Sequence, residues 1–562
     1  MNQNRLWVVG IFVVVVAGCL VYSNSLKNKF CYDDLATIQT NVFIRSFKHF
    51  AGLFRQDYFI FSAENSYRPV VTLTYLLDYA VYQERPWGYH LTNVILHAAC
   101  AGLVAFVLGT IISRELGLVT GLLFAVFPVN TEAVNAVSFR EDILVVFFGL
   151  LSFLSYRQWR KRRTSFWLAG SCLLVFLACL SKENGVVIPF IILGSELILP
   201  GKNTFPGWKK PVLVYSIALA GYGLLRFVLF PGSGKETVGW LAGSWLMSLL
   251  NVPLVYLTYF KKLLFPYPLM ADYPSDWATT FSWSLAGQSL AGIALIVFLL
   301  IITWRKNRVI FYGLFWLLLS LLPTSNIVPI FNPFAERYLY LPGIGFLLVV
   351  ATGLARVKKT VGWALGLFLV TGYATLTYQR NPDWKDDLSL WSRTISQMKQ
   401  PTARAHIGLG YGLVEKGELK AGEEQFRKAV NLRPAMAQAH LSLADVLADQ
   451  ERWPEAVKHY LLAIRLEPRQ AVAHHNLAFV LEKAGYLKEA WQYYQTAIKL
   501  NPFYAQAYFN LGNLMAKIGQ EKEAEEAYRR AVESYPGYAE VYYNWGNLLL
   551  QQGKLPEAEK LY

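Results

Sequence analysis

Long apolar runs fill roughly the first 380 residues of this chain and then stop. No other feature restricts the fold as tightly. A run that crosses a bilayer has no water to satisfy its peptide groups, so it must close its own hydrogen bonds as helix. The first run, Leu6–Leu26, is long enough for a hydrocarbon core of about 30 Å at about 1.5 Å per residue. Further runs read as His90–Ile112, Gly117–Val137, Ile143–Tyr156, Phe166–Leu180, Val186–Leu199 and Val212–Phe230. Leu285–Trp304, Val309–Leu322, Tyr338–Ala355 and Val361–Tyr378 complete the series, for about 11 spans. Val70–Tyr82 is too short and polar to span and reads as an interfacial helix. Trp245–Phe265, with Lys261 and Lys262 near its end, reads as interfacial or re-entrant.

The net charge of +15 would suggest nucleic acid in a soluble protein, but here no nucleic-acid partner is expected. The cations follow the spans: Arg157 with Arg160-Lys161-Arg162-Arg163; Lys202, Lys209 and Lys210; Arg305-Lys306 and Arg308; Arg356, Lys358 and Lys359. Such clusters set topology by staying cytoplasmic. With the N-terminus inside the plasma (inner) membrane, all four fall on the cytoplasmic side and the C-terminal domain lies outside, in the periplasm. Four of the five cysteines fall in apolar runs, so no disulfide framework is implied.

The same topology gathers charges at the outer ends of the spans. Asp33 and Asp34 follow the first run at the membrane mouth, where a carboxylate can take a proton from a hydroxyl or bind a cation. Glu132, Arg140-Glu141-Asp142, Lys182-Glu183 and Glu336-Arg337 join them. Ionisable groups so near a bilayer are costly, and several converging on one side favour a functional site over helix capping or snorkelling. Arg140, Lys182 and Arg337 would suit a phosphate. His90, Asn93 and His97 share one helix face, which permits metal ligation but is also the spacing of packed histidines.

After residue 380 the chain turns charged and alanine-rich. Pro434, Pro468, Pro502 and Pro536 stand 34 residues apart each time, the period of tetratricopeptide repeats (TPRs), two antiparallel helices per unit. Leu409-Gly410, Leu443-Ala444, Leu477-Ala478 and Leu511-Gly512 supply a large and a small residue on each first helix. Ala456, Ala490 and Ala524 let each second helix approach; the first unit departs, with Gly422. Asn476, Asn510 and Asn544 recur at one position of the first helices. They read either as a ladder that hydrogen-bonds an acceptor polypeptide or as plain repeat consensus. A fifth unit reaches only Tyr562, so the chain reads as incomplete there. The expected fold is all-α: residues 1–380 a polytopic membrane helix bundle, 381–402 a linker with a capping helix, and 403–562 a TPR α-solenoid.

In order along the chain stand Phe30-Cys31-Tyr32-Asp33-Asp34, Tyr67-Arg68-Pro69, His90-Leu91-Thr92-Asn93 with His97, Thr131-Glu132, Ser181-Lys182-Glu183 and Glu336-Arg337-Tyr338-Leu339-Tyr340-Leu341-Pro342. Ahead of TPRs, this series resembles the transmembrane and TPR proteins of the O-mannosyltransferase type, in the C-type glycosyltransferase (GT-C) superfamily. The resemblance implies transfer of a mannose-like sugar from a polyprenyl-phosphate donor to Ser or Thr hydroxyls of exported protein. Asp33, or else Asp34, would be the base, and Arg140, Lys182 or Arg337 would steady the leaving phosphate. Glu132, Glu183, His90 and His97 would stand near them, and the TPRs would present the acceptor. No cofactor is certain, and a divalent metal on the acid pair is the variant. The pair Glu141-Asp142 departs from the small or neutral residues relatives often carry after the arginine. Two other classes remain: a membrane-anchored TPR scaffold without catalysis, and a lipid-linked polysaccharide ligase or polymerase.

Overall fold

The computed structural model describes residues 3–54, 67–199, 207–229, 240, 243–274, 280–330 and 332–562. Among them there is helix and no strand. Contacts divide the chain into a membrane unit, which runs to Met398, and a repeat unit that begins at Lys399.

The membrane unit is built from α1 (Gln3–Val21), α2 (Pro69–Tyr82), α3 (Pro86–Ile111), α4 (Arg114–Ala125), α5 (Arg140–Arg162), α6 (Ser165–Ser181), α7 (Ile188–Ile198) and α8 (Lys209–Gly223). It continues with α9 (Trp245–Leu264), α10 (Trp283–Lys306), α11 (Arg308–Leu321), α12 (Tyr340–Leu354), α13 (Lys359–Arg380) and α14 (Asp387–Gln397). Among the described residues, six helical stretches are long and apolar enough to cross a membrane, and a seventh forms if α4 and Pro128–Asn135, bent by 51°, count as one. Ser165–Ser181 and Arg308–Thr324 are apolar but shorter. The remaining stretches read as spans, Ile143–Tyr156 and Val186–Leu199, correspond to α5, with charge at both ends, and to the 11-residue α7.

Lipid tails are as apolar as leucine, so membrane helices gain by close backbone approach rather than by hydrophobic burial. Gly117 and Gly121 of α4 lie on the backbone of α3. A Cβ at Gly117 would sit 2.4 Å from the Ala105 carbonyl oxygen, and one at Gly121 2.8 Å from that of Ala101. Hydroxyls supply further ties: Ser152 of α5 meets Ser171 of α6 at 2.8 Å, and Ser171 meets Tyr215 of α8 at 2.7 Å.

The bundle has a basic end and a site end. Arg114 donates to Asn4, Arg157 to the Thr110 carbonyl, and Lys210 to Ser165, which brings the start of α1 to the basic clusters. Lys202 lies outside the described residues. At the opposite end, Asn24 donates to the Tyr378 carbonyl and Asn381 to the Val21 carbonyl, so α13 finishes where α1 does. Helix α14 packs within this unit, its Trp391 ring 5.3 Å from that of Tyr32.

The repeat unit is a run of antiparallel helix pairs: α15 (Ala403–Glu415) with α16 (Leu419–Leu432), α17 (Ala437–Asp449) with α18 (Trp453–Leu466), α19 (Ala471–Lys483) with α20 (Leu487–Leu500), α21 (Ala505–Lys517) with α22 (Glu521–Ser534), and α23 (Ala539–Gln551) with α24 (Leu555–Leu561). Ala456, Ala490 and Ala524 are fully buried where the paired helices touch. Gly422 takes that place in the first pair because a Cβ there would lie 2.6 Å from Val414 Cγ2.

Candidate functional site

The acid pair stands just beyond α1 on a turn that the local sequence alone would not hold. Tyr32 has a φ of 60°, the left-handed region that costs an ordinary residue about 1–2 kcal/mol. Tertiary contacts hold it there. Its N–H donates to Asp387 Oδ1 at 2.9 Å, and its ring lies against Phe139, Trp384 and Trp391. This turn splits the two acids. Asp33 is exposed, whereas Asp34 is fully buried.

Asp34 Oδ1 accepts the Ser138 N–H at 2.6 Å, and Oδ2 the Cys31 N–H at 3.5 Å. Burial pushes its carboxyl up to about 7 against the pull of those amides. Asp34 thus ties the acid turn to the segment before α5, and Asp33 is the exposed member of the pair. Among the described residues, no group of three or more His, Cys, Asp or Glu side chains could hold a metal ion. A metal at the pair would have to compete with the amides for Asp34, so the residues fit it poorly.

Arg140 is enclosed. Its Nε donates to Asn93 at 2.6 Å, Nη1 to Thr74 at 3.0 Å and Nη2 to the Tyr89 carbonyl at 3.1 Å, with Asp78 at 2.6 Å. With no exposed surface, it ties α2, α3 and α5 together and offers a phosphate no approach. That geometry departs from the phosphate contact expected of it.

Lys182 and Arg337 do stand in the cluster. Lys182 Nζ lies 2.6 Å from Asp142 and 3.0 Å from Glu141. Burial works against its charge, yet those two carboxylates hold its pKa above the ordinary lysine value. Arg337 pairs with Glu132, whose second oxygen takes the Arg337 backbone N–H at 2.8 Å, and its guanidinium lies 3.9 Å from the Phe139 ring centre. Glu183 meets Arg68 at 3.2 Å, and Arg68 also pairs with Glu141.

Arg68 carried no assigned role in the sequence reading, although Tyr67-Arg68-Pro69 was singled out. Its side chain is 22% exposed, against 0%, 5% and 7% for Arg140, Lys182 and Arg337. Of these four cations it is the one solvent reaches best. Arg380, paired with Glu336 at 2.9 Å, was also missed; Arg380 ends an apolar run and looks like a topology cation until Glu336 is seen beside it.

The two histidines are packed within the bundle. His97 bonds the Tyr340 hydroxyl at 2.8 Å and the Ala125 carbonyl at 3.1 Å, and His90 bonds the Lys29 carbonyl at 3.3 Å. His97 ties α3 to α4 and α12, and His90 ties α3 to the loop after α1.

In the repeats, the recurring asparagines turn their amide groups to the preceding unit. Asn476 donates to Asp445 at 2.9 Å, Asn510 meets His475 Nε2 at 2.9 Å, and Asn544 donates to Asn513 at 2.9 Å. Each of these amides spends one N–H on stitching its repeat to the one before.

This architecture, a membrane helix bundle with a charged end followed by a TPR solenoid, agrees with the family models and curated proteins that the sequence matches. Residues 68–224 match the family described as dolichyl-phosphate-mannose-protein mannosyltransferase, and residues 444–485, 477–539 and 516–562 match TPR families. The chain is 28% identical over 450 residues to a protein O-mannosyl-transferase of Caenorhabditis elegans, covering 76% of this chain and 63% of that protein. It is 27% identical over 480 residues to protein O-mannosyl-transferase TMTC3 of Mus musculus, covering 76% and 51%. Among solved structures it is similar to a crystal structure of MamA, at 25% identity, covering 27% of this chain and 90% of that one, with a TM-score of 0.26.

The resemblance drawn from the sequence holds: the chain is similar to protein O-mannosyl-transferases and carries TPRs. Its curated counterparts are the transmembrane and TPR protein O-mannosyl-transferases, and the chain spans between about half and two thirds of the length of those it matches.

Proposed function

We propose that this chain transfers a mannose-like sugar from a polyprenyl-phosphate donor to Ser or Thr hydroxyls of a polypeptide. The observation that carries the reading is the exposed Asp33 carboxylate at the site end of α1, on a turn anchored by buried Asp34. Asp33 takes the hydroxyl proton as the oxygen attacks the anomeric carbon from the face opposite the phosphate. The bond from that carbon to the phosphate oxygen breaks, its electron pair leaves with the lipid phosphate, and the configuration inverts. Arg68, Lys182 and Arg337 supply positive charge for the leaving phosphate. Each is already paired with carboxylates, so the cluster is preorganised and no lone cation is buried. The repeats present the acceptor, and the site end faces away from the cytoplasm.

The test is sugar transfer from synthetic polyprenyl-phosphate mannose to peptide by the purified chain. Asp33→Asn keeps shape and fold, and loss of a general base costs about 10²–10⁴-fold in rate. Wild-type transfer by Asp33→Asn would remove this residue as the base. Absence of transfer by wild type across a panel of donors and peptides would favour a non-catalytic membrane-anchored scaffold. The pairing of Arg68, Arg140, Lys182, Arg337 and Arg380 with carboxylates is the feature that would suit such a scaffold.

A further inference from the structure

At the basic end of the bundle, α6 and α8 lie side by side and run in the same direction, because α7 returns between them. Their register is fixed by Lys210 Nζ on Ser165 Oγ at 3.1 Å, and by Cys172 Sγ on the Val214 carbonyl at 3.4 Å. Further along, a Cβ on Gly221 would lie 3.8 Å from the Phe176 ring. The two helices touch at these points and leave an open groove beside their contact. Leu168, Cys172 and Phe176 on one side and Val214 and Ile217 on the other line a cavity of about 510 Å³. Its walls are apolar, and Lys210 and Ser165 stand at one end.

Three features of this groove specify an occupant. From Ser165 to Phe176 the helix rises about 16 Å, close to half of the roughly 30 Å hydrocarbon core, so the groove is one leaflet long. Leu173 and Ile217 on its rims are 57% and 61% exposed, so it opens sideways toward lipid. Its headgroup end is strongly cationic: Lys161, Arg162, Arg163, Lys209 and Lys210 are all exposed there. Among the described residues of this cluster, Arg160 pairs with a carboxylate, Glu196 at 3.1 Å. A free anion would leave the apolar walls uncovered, and a neutral lipid would leave the cations unmatched.

We propose that the groove is a binding site for one anionic glycerophospholipid of the leaflet at the basic end, with an acyl chain lying along the seam of α6 and α8 and its phosphate on Lys210. Juxtamembrane cations attract anionic lipid by about 1 kcal/mol each, which corresponds to about fivefold in occupancy per charge. The site lies at the opposite end of the spans from Asp33 and is independent of the proposed transfer reaction.

Native mass spectrometry of the delipidated chain, titrated with phosphatidylglycerol, phosphatidylcholine or undecaprenyl phosphate, tests it. Wild type retains one phosphatidylglycerol in preference to phosphatidylcholine. Lys210→Gln loses about fivefold of that preference, and Lys210→Glu loses more. Ala169→Phe, which fills the groove from its exposed rim, lowers retention of both phospholipids. Equal retention by wild type and all variants would overturn the proposal, as would equal retention of the two phospholipids. Stoichiometric displacement of phosphatidylglycerol by undecaprenyl phosphate would also overturn it, by assigning the groove to an isoprenoid.

Discussion

Ser138 gives its backbone N–H to Asp34 Oδ1 at 2.6 Å, across a separation of 104 residues. That bond joins the loop after the first span to the short segment that opens α5, and it divides the labour of two adjacent acids. The buried one holds the turn, and the exposed one is the proposed base.

The pH dependence of stability follows from this bond. Burial raises the Asp34 carboxyl to about 7 in the folded chain, above its ordinary value near 4. The folded state therefore holds a proton that the unfolded state has released. The contribution of Asp34 to stability is greatest below about pH 4 and is lost as pH rises through about 7. Thermal unfolding in detergent between pH 5 and 8 should show Tm falling with pH for wild type and a flatter profile for Asp34→Asn. A wild-type profile as flat as that of the variant would count against the buried carboxylate.

Arg140 makes a second, opposite kind of test. Removing its guanidinium strands Asp78 and the Asn93 oxygen, and breaking a buried pair costs about 3–5 kcal/mol. Arg140→Met should lower folded yield sharply by size-exclusion chromatography, and Arg140→Met with Asp78→Leu should recover much of it. A folded, stable single variant that had lost only donor affinity would return Arg140 to the phosphate role.

The stitching asparagines should reveal themselves in exchange rather than in kinetics alone. Each hydrogen bond contributes about 0.5–1.5 kcal/mol net. Asn476→Ala, Asn510→Ala and Asn544→Ala should each speed hydrogen exchange in the two repeats they join, in the full chain. Unchanged exchange combined with weaker acceptor use would favour a ladder that binds polypeptide.

Orientation is open to a reporter experiment. If the basic end stays in the cytoplasm, alkaline phosphatase fused after Gln400 should be active and the same fusion after Arg163 inactive. The reverse pattern would invert the proposed topology.

The apolar runs and the 34-residue period were enough to predict helices in both halves, because each is a local property. A bilayer obliges every peptide group to bond within its own segment, and a repeat can bury its face only against a copy of itself. Both constraints act over tens of residues and are legible without coordinates. Bends and partial crossings were less legible, since α4 with Pro128–Asn135 reads as one run yet turns by 51°. The sequence could also gather Asp33, Asp34, Glu132, Lys182, Glu183 and Arg337 at one end of the bundle, since span parity decides which ends meet. It could not say which cation is spent on which acid. Arg140 looked as available as Lys182 until Asp78, Thr74 and Asn93 closed around it, and Arg68 looked incidental until it proved the best exposed of the four. The three asparagines shared a repeat position, but only the approach of successive units showed their amides turned to the neighbouring repeat. Pairing and exposure arise from packing between elements distant along the chain, where a shift of a few ångströms decides whether a charge meets a partner or solvent. Only the tertiary structure determines that.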